Sequence, residues 1–286
     1  MRDVKFLKAT SIGEAITFLD EYRGQAQLIA GGTDVLVQLR EEEKTISSPL
    51  CLVDVFDIMD MRAIQEEGDL IRIGSMVTHT EIAESAFLNQ AVPFLSLACS
   101  QVGGPQIRNR GTVGGNIVNA SPAADSVPVL IALDAMVHLR SNKGKREVPL
   151  SAFFVGPYKT SIDEGELLTE ITFKRLPEGS KTNFVKVGRR RALSISRMNL
   201  AVSMHCDAQG HVDDMRFAAG SVMPRPRRIK EIESLFLGKT ATPELLQKAK
   251  EEIGEVMVRE SGIRKSTIYK KPVIGDITYS AIESLK

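Results

Sequence analysis

A chain of 286 residues and 31.4 kDa is long for one small module and points to about two domains. Its hydrophobic fraction of 43% and charged fraction of 26% fit a globular protein and exclude a disordered or low-complexity chain. With 37 Lys and Arg against 36 Asp and Glu, a net charge of +1, there is no global basic field to draw a nucleic acid. The first segment reads strand, helix, strand: Ser11 and Glu14 form an S-x-x-E capping box, and Ala15, Ile16 and Leu19 follow at helical spacing. Gln27 to Ala30 is a short apolar strand stopped at Gly31-Gly32, and Cys51 to Val55 and Leu70 to Val77 are two more. Val92 to Val102 reads as a helix with Pro93 in its first turn. Gly103 to Asp125, dense in Gly, Asn, Ser and Ala, reads as loop. It runs into an apolar helix at Ser126 to Leu133 and a strand at Met136 to Arg140.

The strand Leu167 to Lys174 ends at the polar cluster Pro177-Glu178-Gly179-Ser180, the expected domain boundary. Beyond it, Asn183 to Val187, Leu200 to Cys206 and Val212 to Ala218 read as strands, the last two joined by a hairpin at Asp207 to Gly210. A helix at Ile229 to Leu237 is closed by Gly238, Thr242-Pro243-Glu244 opens another, and Thr278 to Leu285 is a third. The class is α+β. The longest apolar run, Val127 to Leu133, is halted by Asp134, well short of the ~20 residues of a membrane-crossing helix. The amino terminus carries no apolar export signal, and Cys51, Cys99 and Cys206 form neither a disulfide framework nor a metal-ligand cluster, so a reducing cytoplasm is expected.

Two loops carry the chemistry. Ala30-Gly31-Gly32-Thr33-Asp34 follows a strand and precedes the apolar Val35 to Leu39. Consecutive glycines there let backbone N–H groups converge on one concavity that suits a phosphate, with the Thr33 hydroxyl as a further donor. The alternative is a tight turn in which Asp34 caps the helix. The second loop runs from Gly111 to Asp125, with the pair Gly114-Gly115 and five small polar side chains: Thr112, Asn116, Asn119, Ser121 and Asp125. Such a stretch makes a poor helix and a poor strand, because Ser, Asn and Asp compete for backbone hydrogen bonds. Its hydroxyls, amides and one carboxylate match a sugar or ribityl chain and a diphosphate. Neither loop is a P-loop or a G-x-G-x-x-G turn.

Taken together, Ala30 to Asp34, Gln106-Ile107-Arg108-Asn109, and Thr112 to Asn116 with Ser121 to Asp125 resemble the FAD-binding subunit of molybdenum hydroxylases. This is the family of carbon monoxide dehydrogenase medium subunits and of the flavin domain of xanthine dehydrogenase. Phe154 to Thr160, Glu166 to Leu168 and Phe184 to Arg190 extend the likeness over nearly the whole chain. The resemblance implies a two-part flavin domain of the vanillyl-alcohol-oxidase (PCMH) type over 1–176, with subdomains about 1–56 and 57–176. A smaller domain of a three-stranded sheet with helices would follow over 181–286. It implies that Ile29, Ala30, Gly31, Gly32, Thr33 and Asp34 wrap the FAD diphosphate. Thr112, Gly114, Gly115, Asn116, Asn119 and Asp125 would hold the diphosphate, ribityl chain and flavin edge, and Leu168 and Lys186 would stand beside the adenine and isoalloxazine ends. None of His79, His138, His205 and His211 falls in either loop, so the FAD is expected to be dissociable and no catalytic or metal-binding residue is assigned.

The implied function is electron transfer within a cytoplasmic heterotrimer. A large subunit carries molybdopterin, a small subunit carries [2Fe-2S] clusters, and FAD passes the electrons to NAD+ or another acceptor. Two rivals stand beside it: a nucleotide-binding regulatory or assembly module without redox turnover, and a stand-alone flavin reductase of the sugar-nucleotide type. Arg189 to Arg191 reads either as a solvated turn or as a basic mouth for the phosphates of NAD. Tyr158 and Tyr269 read as packing residues, and the cysteines as buried small apolar groups.

Overall fold

The structure is a computed structural model that describes residues 4–41, 50–190 and 193–286, so Arg191 lies outside the described residues. The chain begins β1 (Val4–Lys8), α1 (Ile12–Glu21), β2 (Ala26–Ile29), α2 (Val35–Glu41) and β3 (Leu50–Asp54). A hairpin of β4 (Ile64–Glu67) and β5 (Leu70–Gly74) leads to the short helices α3 (His79–Glu84), α4 (Ala86–Ala91), α5 (Pro93–Ser100) and α6 (Pro105–Arg108). Next come α7 (Val113–Asn119), α8 (Ser126–Ala132), β6 (Met136–Ser141), β7 (Gly144–Pro149) and α9 (Leu150–Phe153). Strands β8 (Phe154–Gly156), β9 (Lys159–Thr160), β10 (Leu167–Lys174), β11 (Lys181–Gly188), β12 (Ser196–Cys206) and β13 (Val212–Gly220) follow. Helices α10 (Lys230–Phe236), α11 (Pro243–Ser261) and α12 (Thr267–Glu283) close the chain.

The described residues form two compact units. One holds Met1–Glu81, Gly104–Ala120 and Ala135–Lys174; the other holds Ile82–Gly103, Ser121–Asp134 and Arg175–Lys286. The chain passes back and forth between them, and the polar cluster at 177–180 follows the last passage. The early segments of the second unit carry α4, α5 and α8. All seven residues of α8 are buried, which no exposed linker would allow.

In the first unit, β1 and β2 flank β3 in a parallel sheet, with α1 as the crossover helix. Ser11 caps α1 by accepting from the Glu14 N–H at 3.1 Å. The box is only half formed, because the Glu14 carboxylate accepts instead from the N–H and hydroxyl of Thr10, at 2.7 and 2.8 Å. Ala15 and Leu19 of α1 bury against Cys51 and Val53 of β3. A second sheet, β4-β5-β10-β6-β7, is antiparallel throughout, with β10 at its centre. Leu167, Leu168, Ile171 and Phe173 of β10 are buried, each such side chain contributing about 1.5–3 kcal/mol.

Two expectations change. The Gly/Asn-rich run contains helix α7, despite its composition. Thr112 caps it by accepting from the Gly115 N–H, and Val113, Gly114 and Ile117 are buried, so tertiary packing overrides weak propensity. The last helix begins at Thr267 rather than near Thr278, with Pro272 inside it. It crosses α11 closely: a Cβ on Gly275 would stand 2.8 Å from the Lys250 carbonyl oxygen, and one on Gly254 would stand 2.9 Å from Lys271 Cγ. In the second unit, β11-β12-β13 form an antiparallel sheet, and β12 is buried on both faces from Met198 to Met204.

Candidate functional site

In the first unit a cleft of about 460 Å³ opens between β2 and its following loop, the end of α7, and residues 162–168. That volume lies in the range of ligand pockets, about 300–1,000 Å³. Of the predicted residues, Ala30, Asp34, Gly114, Gly115, Asn119 and Leu168 line it. Ile29, Gly31, Gly32, Thr33, Thr112 and Asn116 belong to the same unit without lining it, and Asp125 and Lys186 belong to the second unit.

The turn after β2 is forced by its glycines. Gly32 has φ +74°, and a Cβ on Gly31 would stand 1.9 Å from the Arg110 carbonyl oxygen, so only glycine lets residues 110–111 approach. The chain re-enters a helix through Asp34, whose carbonyl accepts from the N–H groups of Val37 and Gln38 at 3.0 Å each. The backbone N–H groups of Gly31, Gly32, Thr33 and Asp34 donate to no acceptor among the described residues. Four successive amides in this state fit an anion bound at the turn.

The second loop is organised differently. Val113 N–H donates to the Val77 carbonyl at 2.9 Å and Gly114 N–H to the Ser75 carbonyl at 2.9 Å. Gly115 N–H donates to Thr112 Oγ1 at 3.0 Å, and Asn116 N–H donates to the Thr112 carbonyl at 2.9 Å. Gly114 is required because a Cβ would stand 2.5 Å from Ser75 Cβ. Thr112 itself is only 2% exposed. Asn119 reaches the cleft, where its Oδ1 accepts from Gln38 Nε2 at 3.4 Å. Beneath the loop, the buried His79 donates its backbone N–H to the Gly111 carbonyl at 3.0 Å. Burial, with a smaller push from Arg108, brings its imidazole down to about 4, so the ring is neutral near pH 7; its Nδ1 has no hydrogen-bond partner among the described residues.

Asp125 and Lys186 meet in the second unit. Lys186 Nζ donates to Asp125 Oδ2 at 2.5 Å and to the Gln101 carbonyl at 2.7 Å. Asp125 Oδ1 accepts from Ser196 Oγ at 2.5 Å and Asn199 Nδ2 at 3.0 Å. Both ionic side chains are under 10% exposed, so Lys186 is a buried cation held by one carboxylate and one carbonyl. Burial also raises the Cys99 thiol well above its ordinary range, with Asp125 adding to the effect.

On the opposite rim of the cleft, residues 162–168, only Leu168 is among the predicted site residues, and the ion pair that holds the rim in place is not foreseen. The rim is fixed by Arg146, whose Nε and Nη2 grip Glu166 Oε1 and Oε2 at 2.6 and 2.7 Å. The same carboxylate accepts from the Asp163 N–H at 2.7 Å. The Arg146 guanidinium holds the Glu166 carboxyl below its usual range. A charge pair separated by twenty residues leaves no local signal. Tyr158, read as a packing residue, is 64% exposed with φ +56° and lines the cleft. Cys206 is exposed, unlike Cys51 and Cys99.

Comparison with known proteins converges. The profile of the FAD binding domain in molybdopterin dehydrogenase matches residues 2–175, and that of the CO dehydrogenase flavoprotein C-terminal domain matches residues 183–285. The chain is 32% identical to the xanthine dehydrogenase FAD-binding subunit of Escherichia coli O157:H7, covering 96% of this chain and 93% of that one. It is 30% identical to the nicotinate dehydrogenase FAD-subunit of Eubacterium barkeri, covering 95% and 92%. Among solved structures, a chain of the carbon monoxide dehydrogenase from Hydrogenophaga pseudoflava superposes with a TM-score of 0.91 at 28% identity, covering 100% of this chain and 97% of that one.

Proposed function

The chain belongs to the family of FAD-binding subunits of molybdopterin-dependent dehydrogenases, and on that premise we propose that it carries electrons from the iron–sulfur clusters of a partner subunit, through FAD, to NAD+ or another acceptor. It is the flavoprotein part of an oxidoreductase, with molybdopterin and iron–sulfur clusters in other subunits of the assembly. The observation that carries the reading is the run of unpartnered amides from Gly31 to Asp34 beside a cleft of ligand size.

The residues present fit the cofactor. A diphosphate is a bulky anion, and four N–H donors on a turn without Cβ at two positions can donate to its oxygens without displacing a protein bond. In this reading Ile29, Ala30, Gly31, Gly32, Thr33 and Asp34 hold the diphosphate, Thr33 adding a hydroxyl. Gly114, Gly115, Asn119 and Leu168 form walls of the cleft, and Thr112 and Asn116 act through the geometry of α7. Asp125 and Lys186 are paired and buried within the second unit, where Ser196 and Asn199 complete the carboxylate's bonds. When bound, FAD supplies one-electron acceptance and hydride delivery, chemistry that no side chain of this protein provides. The same reading places the complex in a reducing cytoplasm, which the free Cys51, Cys99 and Cys206 suit. Among the described residues, no helix is long and apolar enough to cross a membrane.

Spectral titration of the purified chain with FAD is expected to saturate at one equivalent, with ADP binding far more weakly. A chain that takes up no FAD overturns the reading, and equal affinity for ADP without flavin reduction returns the regulatory alternative. In the assembled complex, substrate-driven reduction of NAD+ is expected. Reduction of artificial dyes alone removes NAD+ as the acceptor.

A further inference from the structure

In the second unit, cations gather without counter-ions at the turn between α11 and α12. Ser196 of β12 bonds the Asp125 network, whereas Arg197, the extra residue where the pairing with β11 bulges, lies against Tyr269 of α12. Its guanidinium lies 5.0 Å from the centre of the Tyr269 ring. Beside it stand Arg264 and Lys270. Arg264 Nε donates to the Ser261 carbonyl at 3.0 Å, and Lys270 Nζ donates to the Ser221 carbonyl at 2.6 Å. None of the three meets a carboxylate among the described residues. Burial, and then the proximity of Arg264 and Arg197, hold the Lys270 ammonium below its ordinary range. Elsewhere in the unit such repulsion is relieved: Arg227 and Arg259 share Glu231, at 2.9 and 2.7 Å.

The patch is also apolar. Ile263 and Ile268 are 86% and 87% exposed, and Tyr269 is 42% exposed. A small anion would quench the cations but leave both isoleucines in water. A protein surface satisfies both, and stacked Arg and Tyr beside aliphatic groups is the composition of an interface centre. We propose that this patch is a docking surface for another subunit of the same complex, one whose facing surface carries carboxylates around an apolar centre. The proposal rests on the reading of the chain as a complex subunit given above.

The test is co-expression of the full-length chain with the molybdopterin-binding and iron–sulfur subunits of the same organism, followed by affinity capture through a tag on this chain. Two double variants are compared with the wild type: R197E/R264E, and Ile263→Ser with Ile268→Ser. Bound FAD per chain reports folding and is expected to be unchanged in both. Charge reversal is expected to cut recovery of a partner subunit at least tenfold, and the serine pair by severalfold. Raising the salt is expected to weaken capture by the wild type and not by R197E/R264E. Recovery of both partners at the wild-type ratio by both variants overturns the proposal. So does a loss confined to binding of NAD+ or of vesicles containing phosphatidylserine, which would make the patch a phosphate or lipid site. A wild-type chain that binds FAD but captures neither partner defeats the functional reading, and the docking surface with it.

Discussion

In the turn at 31–34, four successive amides point away from the protein's own acceptors, whereas in the loop at 111–116 the amides of Gly111, Val113, Gly114, Gly115 and Asn116 are all bonded within the chain. Both loops need glycine for the same steric reason, a backbone that comes within contact distance of Gly31 and Gly114. They differ in what that closeness achieves. At Gly114 it welds α7 onto Ser75 and Val77, making a wall. At Gly31 it bends the chain around residues 110–111 and leaves donors over. The carboxylate at the end of the second loop follows the same division, since Asp125 gives both oxygens to protein donors. A glycine-rich composition is therefore not in itself a ligand signal. The accounting of backbone donors is what separates scaffold from site.

The largest effect should come from the inward-looking side of this comparison. Lys186→Met leaves the Asp125 carboxylate buried with no counter-charge, and breaking a buried pair in this way costs about 3–5 kcal/mol. Urea unfolding is expected to show that loss, and adding Asp125→Asn is expected to recover much of it. If the single variant unfolds like the wild type, Asp125 is not committed to the protein as the geometry says.

Next comes the outward-looking turn. Gly32→Ala puts a Cβ at φ +74°, costing about 1–2 kcal/mol of backbone strain, and it meets Leu36 Cδ1 at 3.2 Å. Any relaxation re-aims the free amides. FAD affinity is expected to fall at least tenfold, with a smaller change in unfolding midpoint. A variant that titrates with FAD like the wild type would remove the turn from the anion site.

How much of this was legible in the sequence follows the range of the interactions. The turn at 31–34 is marked locally by Gly-Gly after a strand, but those residues alone fit a plain tight turn as well as an anion site. Central strands such as β10, and caps such as Ser11 and Thr242, are written in local patterns and stand close to where those patterns put them. Edge strands β4 and β7 are almost wholly exposed and show no apolar alternation, so nothing local marks them. Helix α7 and the early start of α12 depend on contacts with distant chain, at Ser75 and at Lys250, that outweigh Gly, Asn and Pro propensities. The burial of Lys186 was hidden for the same reason, since its partner lies 61 residues away.

The far rim of the cleft gives an intermediate effect with a pH signature. Arg146→Gln removes two charge-assisted bonds to Glu166, worth about 1–3 kcal/mol together once partial exposure is allowed for. The Glu166 carboxyl is held below its ordinary value of 4.5, so its contribution is fully present above that value and is lost as the pH falls through the lowered one. Wild type and variant should differ in stability at pH 7 and converge in acid, once the pH has fallen below the lowered Glu166 value. A gap that persists into acid would assign the loss to packing of the guanidinium rather than to the ion pair.

The smallest effect tests the wall most directly. Thr112 is buried, and its hydroxyl accepts from the Gly115 N–H, so Thr112→Val keeps the shape and removes the acceptor. Loss of an amino-terminal cap costs about 1 kcal/mol, seen as a lower midpoint in thermal unfolding, whereas Thr112→Ser should retain the bond and nearly all the stability. Because the cap acts within α7, the FAD dissociation constant should rise by only a fewfold in the valine variant, far less than in Gly32→Ala. Should Thr112→Val match or exceed the glycine variant in lost affinity while keeping its midpoint, the hydroxyl would be gripping the cofactor itself, and the division between a wall and an anion-binding turn would give way to two loops sharing one task.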